Sequence, residues 1–266
     1  MATLHIGLMG QTQRCMLTVK FGNILNNEDE TPSRDQKSVC NHYSNTTSVE
    51  AMRQLFDVSA DLDKLGNAEP LSAIYPKYEA PVVRLNEAGQ RELVNLNWGF
   101  RTTKKSKKTG NLIMPGVWNN ARSDKVATSG FWKYSFQQRR CLVPASAYCE
   151  WPPGGRPQVY HWFAMQGEEP RPPFAFAGMW QTSKYETKDG PESCETHTFL
   201  TTTANELGKP IHPERMPVIL DPSDYDQWLK GSKEEALALL RPFPSDQMRI
   251  ARIGEEHSSD PIEGAT

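Results

Sequence analysis

Six polar residues stand where side chains of their type do chemistry: Cys40, Asn120, Arg122, Glu150, His212 and Arg215. Glu150 stands at the far end of an apolar run, residues 141–148, that reads as one buried strand, and lies between Cys149 and Trp151. A carboxylate so placed is poorly solvated, and burial raises a Glu pKa toward the range of a proton donor or acceptor near neutral pH. Two readings of it are open: an acid–base group, or a strand-end Glu paired with Arg139 or Arg140. A thiol with an imidazole and a carboxylate or carboxamide is a legitimate nucleophilic set, so Cys40, His212 and Glu150 or Asn120 are compatible with a cysteine peptidase. The plain alternatives are a buried thiol at Cys40, a hydrogen-bonded loop histidine at His212, and a turn-forming Asn120 with Asn119 acting in its place.

The elements that must hold these groups follow from pattern. Cys40 lies just before Thr47-Ser48-Val49-Glu50, a capping box with Thr47 as N-cap. Val49, Met52, Leu55 and Phe56 then share one helical face, which ties the thiol to the protein body. Residues 80–85 and 92–100 read as strands around a turn at 86–89. The next stretch carries Arg101, Lys104, Lys105, Lys107 and Lys108 without an acid. It is either a solvated loop or a grip on a phosphate backbone, with Trp98 stacking on a base. Further strands are expected at 159–165, 174–180, 196–203, 216–220 and 248–253. Residues 184–193 are expected as a polar loop, and 204–213 as a loop carrying His212. Asp221-Pro222 opens a helix to about 229, and a second helix is expected over 232–240. Many short strands with few helices give an α+β fold with a strongly twisted antiparallel, barrel-like core.

Composition narrows the functional classes. The chain has 266 residues, a net charge of -2 and 37% hydrophobic residues, enough for one sizeable core. No run approaches the roughly 18 apolar residues of a membrane span, and no signal-peptide pattern opens the chain. Five cysteines without a CxxC pair argue against a disulfide framework or zinc ribbon and fit a cytoplasmic protein. No histidines have metal-ligand spacing, so no metal or cofactor is expected. The near-neutral charge means that any nucleic-acid site is a local patch. Residues 26–37 (NNEDETPSRDQK) cannot fill a core. The expected organisation is a disordered leader or misassigned extension over 1–38, one domain over 39–254, and a tail over 255–266.

The ordered pieces together resemble one family, the SRAP family (SOS response-associated peptidases, the abasic-site processing proteins). They are Cys40-Asn41-His42-Tyr43, Trp98-Gly99, Asn120-Ala121-Arg122-Ser123, Arg140-Cys141-Leu142-Val143-Pro144-Ala145 with Tyr148-Cys149-Glu150-Trp151, Ala177-Gly178-Met179-Trp180, Thr201-Thr202-Thr203-Ala204-Asn205, and Ile211-His212 to Met216-Pro217-Val218-Ile219-Leu220. The resemblance implies a barrel-like fold and a bacterial or phage-like sensor of abasic sites in single-stranded DNA; the sequence is silent on oligomeric state, and a monomer is assumed. It implies that an N-terminal cysteine condenses with the sugar aldehyde and closes a thiazolidine. An α-amine titrates near about 7.7–8.0, so part of it is neutral at pH 7. In this reading Asn120 positions the cysteine, Glu150 and His212 move protons, and Arg122 and Arg215 hold flanking phosphates. The sequence departs from the family in three places. Cys40 stands behind 39 residues, so its amine is free only if those residues are removed by (auto)proteolysis or if translation starts at Val39. Asn41-His42 replaces the usual Gly-Arg. Pro213-Glu214 lengthens the loop before Arg215. A noncovalent single-strand binder using the lysines from Lys104 to Lys108 and tryptophans is the third functional class.

Overall fold

The computed structural model describes residues 40–154 and 157–260; the expected leader over 1–38 and residues 261–266 of the expected tail lie outside them. The strands are β1 (Tyr43–Asn45), β2 (Leu71–Ile74), β3 (Glu79–Leu85), β4 (Arg91–Trp98), β5 (Phe100–Thr102), β6 (Gly116–Trp118), β7 (Asn120–Arg122), β8 (Arg140–Ala145), β9 (Ala147–Glu150), β10 (Tyr160–Met165), β11 (Phe174–Thr187), β12 (Gly190–Thr203), β13 (Arg215–Pro217), β14 (Ile219–Leu220) and β15 (Met248–Gly254). Five short helices join them: α1 (Val49–Leu55), α2 (Ser123–Val126), α3 (Lys133–Gln138), α4 (Tyr225–Lys230) and α5 (Lys233–Ala238).

Strand β12 pairs along both edges and closes a ring. It runs antiparallel to β11, which pairs with β8, β8 with β3, β3 with β4, and β4 returns to β12 in parallel through Thr196↔Asn97 and His197↔Trp98. The closed five-stranded barrel has no free edge within the ring. The antiparallel expectation holds for four of its five pairings, and the parallel one is the seam. Side chains alternate across these strands as a two-residue period requires. Val82, Val94, Cys141, Val143, Phe176 and Phe199 pack toward residues of a second sheet. Their neighbours Val83, Leu93, Leu142, Ala175, Ala177 and Leu200 pack toward α1, α3 and α4. That second sheet has the order β15-β10-β9-β1-β2.

The apolar run 141–148 is two strands, not one. β8 belongs to the barrel and β9 to the second sheet. Ser146 makes the crossing: its N–H donates to the Ser44 carbonyl at 2.8 Å, and its hydroxyl accepts the Thr46 N–H at 2.9 Å. A break also falls at Gly99 (φ +104), where a Cβ would meet Val117 Cγ1 at 2.4 Å, so only glycine fits between β4 and β5.

Two expectations are corrected. Residues 184–193 form the arms of the β11–β12 hairpin, paired from Thr187↔Gly190 to Lys184↔Ser193. Their ladder is backbone hydrogen bonding with polar cross-strand pairs such as Tyr185 Oη to Glu192 at 2.7 Å, which leaves no apolar alternation to detect. Helix α1 is capped by Ser48, whose side chain accepts the Ala51 N–H; Thr47 Oγ1 instead lies 3.2 Å from Ser146 Oγ.

The barrel wall is tight where β11 pairs with β8. A Cβ on Gly178 would meet Val143 Cγ2 at 2.7 Å and Cys141 Sγ at 2.8 Å. Gly178→Ala is expected to cost about 1–3 kcal/mol by overpacking, measured by urea unfolding; an unchanged midpoint would contradict this packing.

Candidate active site

Sheet register brings the thiol to the carboxylate. β1 and β9 pair through Ser44↔Ala147 and Tyr43↔Tyr148, and the Cys149 N–H donates to the His42 carbonyl at 2.9 Å. One further step sets Asn41 opposite Glu150, with Cys40 just beyond. The Cys40 backbone N–H donates to the Glu150 carboxylate. Cys40 is 1% exposed, has a left-handed backbone (φ +46), and its Sγ lies 3.6 Å from the His42 carbonyl oxygen. A non-glycine residue in this region is strained by roughly 1 kcal/mol or more, so its neighbours must hold it there.

Those neighbours come from the barrel. β7 pairs with β12 through Phe199↔Asn120, which aims the Asn120 Nδ2 at the Cys40 carbonyl oxygen, 2.9 Å away. Asn119 Nδ2 donates to Asn41 Oδ1 at 2.5 Å, and Trp98 Nε1 donates to the Asn119 carbonyl at 2.8 Å. Both asparagines that the sequence offered are thus used, Asn120 on Cys40 and Asn119 on its neighbour.

A cavity of about 210 Å³ opens over this group, lined by Cys40, Asn41, Glu150, Trp151, His212 and Glu214 together with Pro153 and Pro213. His212 arrives on a loop that folds on itself: Asn205 Oδ1 accepts the Gly208 N–H at 2.9 Å, and the His212 N–H donates to the Gly208 carbonyl at 2.9 Å. The structure therefore brings Cys40, Asn120, Glu150 and His212 together.

Burial dominates the electrostatics. It lifts the Glu150 carboxyl to about 8, with the Cys40 N–H pulling the other way. Glu150 Oε1 has no hydrogen-bond partner among the described residues. Neither neighbouring arginine pairs with it: Arg140 donates to backbone carbonyls, including that of Phe136 at 2.9 Å, and Arg139 lies over the rings of Trp180 and Tyr134. Burial and the Glu150 charge push the Cys40 thiol well above the ordinary thiol range. His42, fully enclosed, is lowered to about 4 by desolvation.

The remaining expected residues divide. Arg122 and Arg215 meet over Asp124: Arg122 makes two hydrogen bonds to it at 3.1 and 3.0 Å, and Arg215 lies 3.5 Å from it while its Nε donates to Thr201 Oγ1 at 2.9 Å. Arg122 keeps a 61% exposed side chain, against 12% for Arg215. Lys104 and Lys105 are exposed on the segment between β5 and β6 and do not line the cavity. Trp98 is corrected: it is fully buried and stacked on Phe199 at 5.2 Å, so no base can reach its face. The rings open to solvent near this segment are Trp118 and Phe131, each 37% exposed and 5.6 Å apart. The cavity residues Trp151 and Glu214 were not among the expected site residues, and Asn119 was expected only as a substitute for Asn120. Only the adjacency of Asn119 to Asn120 signalled any of them in the sequence.

Comparison with known proteins gives the family and the fold. The profile of the family described as SOS response associated peptidase (SRAP) matches residues 39–258. A curated relative, an abasic site processing protein of Saccharomyces cerevisiae, is 30% identical over 145 residues, or 52% of this chain; the chain covers 37% of the yeast protein's length. Crystal structures of a protein from Bordetella bronchiseptica (24% identical, TM-score 0.61, 79% of this chain and 97% of that one) and one from Bacteroides thetaiotaomicron (22%, 0.59, 79% and 90%) share the fold.

The raised Glu150 pKa has a stability signature. A carboxyl that binds its proton more tightly when folded contributes stability that is complete below its unfolded pKa and is lost as pH rises through about 8. His42, lowered to about 4, acts with the opposite slope and loses its contribution as pH falls. Comparing wild type with Glu150→Gln keeps His42 constant. The variant's advantage in unfolding free energy is expected to grow between about pH 4.5 and 8, by up to a few kcal/mol; a pH-independent difference would contradict the buried, protonated carboxyl.

Proposed function

The chain belongs to the SOS response-associated peptidase family, and from that premise we propose that it captures abasic sites in single-stranded DNA covalently through Cys40. One observation carries the proposal: the nitrogen of Cys40 is hydrogen-bonded to a buried carboxylate inside a cavity that also contains His212. The name of the yeast relative supplies the substrate class.

The proposed reaction uses Cys40 once its nitrogen is a free amine. Glu150, largely protonated at neutral pH, gives a proton to the ring oxygen of the abasic sugar as the bond from that oxygen to C1′ breaks, the C1′ hydroxyl proton passes to His212 or water, and the aldehyde opens. The amine adds to the aldehyde carbon, the carbinolamine loses one water, and an imine forms. The thiol then adds across the C=N bond, its proton passing to nitrogen, and a five-membered thiazolidine closes. Both nucleophilic atoms come from one residue, so no cofactor is required. Asn120 holds the Cys40 carbonyl and thereby the direction of both atoms, and His212 is proposed to pass protons at the cavity wall. The same Glu150 stands beside the nitrogen that leaves when water cleaves the Val39–Cys40 bond, so it is also the proposed acid for autoproteolytic release of the preceding residues. Arg122 is the proposed phosphate contact, exchanging Asp124 for the backbone, with Arg215 behind it. Lys104 and Lys105 follow the strand, and Trp118 and Phe131 offer ring faces to unpaired bases. The acting species is proposed to be a cytoplasmic monomer; no helix among the described residues is long and apolar enough to cross a membrane.

A peptidase acting on other proteins fits less well. Its thiol must attack first and needs thiolate character, whereas the Cys40 pKa is raised and in the proposed capture the amine attacks before the thiol.

The test is the rate of capture of an oligonucleotide with one abasic site, using protein that begins at Cys40. Glu150→Gln is expected to lower the maximal rate by roughly 10²–10⁴-fold with little change in DNA affinity; an unaltered rate would remove Glu150 from the chemistry. Arg122→Ala is expected to weaken binding and to reduce the slope of log affinity against log salt by about one.

A further inference from the structure

Residues 255–260 read as a polar tail, yet they are fastened across the strand that carries the site. Asp260 is 1% exposed. Its Oδ2 accepts the Ser44 hydroxyl at 2.6 Å, its Oδ1 lies 2.5 Å from Arg171 Nη1, and its own N–H donates to the Ser72 carbonyl at 2.9 Å. Arg171 also meets Glu169 at 3.2 Å, and Glu169 meets Arg249 at 2.7 Å, so the attachment reaches back into β15. Two aromatic tips complete it: Tyr75 Oη donates to the Ser258 carbonyl at 3.1 Å, and Trp162 Nε1 donates to the His257 carbonyl at 2.8 Å.

Those same two rings enclose His42. Tyr75 stacks on it at 4.3 Å and Trp162 meets it edge-on at 4.7 Å. Neither ring nitrogen of His42 has a hydrogen-bond partner among the described residues, so its side chain is located by the rings rather than by polar contacts. The His42 carbonyl in turn accepts from the Cys149 N–H and lies 3.6 Å from Cys40 Sγ.

We propose that residues 255–260 are a positioning clamp for Cys40, acting on β1 directly through Asp260–Ser44 and on the Cys40–His42 turn through Tyr75 and Trp162. The clamp fixes where the sulfur and nitrogen of Cys40 stand relative to Glu150, and misplacement by about 1 Å is enough to cost a reaction of this kind as much as a hundredfold. The kinetic consequence rests on Cys40 being the capturing residue; the mechanical one does not.

Two mild variants test it without breaking the buried Asp260–Arg171 pair: Ser44→Ala, which removes one hydroxyl, and Tyr75→Phe, which keeps the stacked ring and removes its bond to Ser258. In the folded full chain, iodoacetamide labelling is read site by site by mass spectrometry. Each variant is expected to label faster at Cys40 by roughly tenfold or more, with Cys141 in the barrel wall unchanged. In protein beginning at Cys40, each is expected to lower the maximal rate of abasic-site capture by a similar factor, with the half-saturating DNA concentration within about twofold. Unchanged Cys40 labelling, or Cys40 and Cys141 rising together as in general loosening, would overturn the clamp. Altered labelling with no capture by any variant or by wild type would leave the clamp standing and defeat the capture reading instead.

Discussion

Residues 140–150 lie in two sheets, and the rest of the molecule is arranged around that crossing. β8 is a wall of the barrel. After Ser146 the same chain becomes β9, paired with β1 on one side and β10 on the other. The pairing with β1 is what places Glu150 at the nitrogen of Cys40, while the barrel holds Asn120 against the Cys40 carbonyl through β7 and β12. Neither sheet alone makes the site. A shift of one residue in the β1–β9 register would turn Glu150 to the opposite face, so the same backbone ladder that stabilises the sheet sets where Glu150 stands.

The energetic consequence is a buried acid beside a buried thiol. Both are held in their neutral forms by desolvation, which a protein tolerates because neutral groups cost less to bury than charged ones. In the proposed reaction, protons would then move among Cys40, Glu150 and an incoming sugar without charging the cavity first. The cationic groups stand outside it. Arg122 and Arg215 are already paired through Asp124, so in the proposed DNA contact a phosphate would replace an existing partner rather than meet a bare charge.

Much of this was legible in the sequence where the signal is local. The Glu150 environment followed from an apolar run ending at a carboxylate. The turn at 86–89 is held by Asn86 Oδ1, which accepts the N–H groups of Ala88 and Gln90. Asp221 caps its turn on Ser223, and Ser232 with Glu235 forms a complete capping box. What stayed hidden depends on distant partners. The barrel seam joins residues about a hundred positions apart, and the hairpin arms are polar on both edges. Trp98 carried the residue type of a stacking platform, but its burial is decided by Phe199 and Tyr43. Asp260 sits in a segment whose composition is that of a tail, and only Ser44 and Arg171, far away in the chain, make it a core residue.

The central claim is that the nitrogen and sulfur of one residue, Cys40, together trap the lesion. Intact mass under denaturing conditions tests it most directly, on protein beginning at Cys40 and incubated without reductant with a single-stranded oligonucleotide carrying one abasic site. The expected result is a gain equal to the oligonucleotide less one water, mapped to Cys40, and no gain when Val39 remains attached. No adduct on protein beginning at Cys40, or an equal adduct on Cys40→Ala, would contradict it.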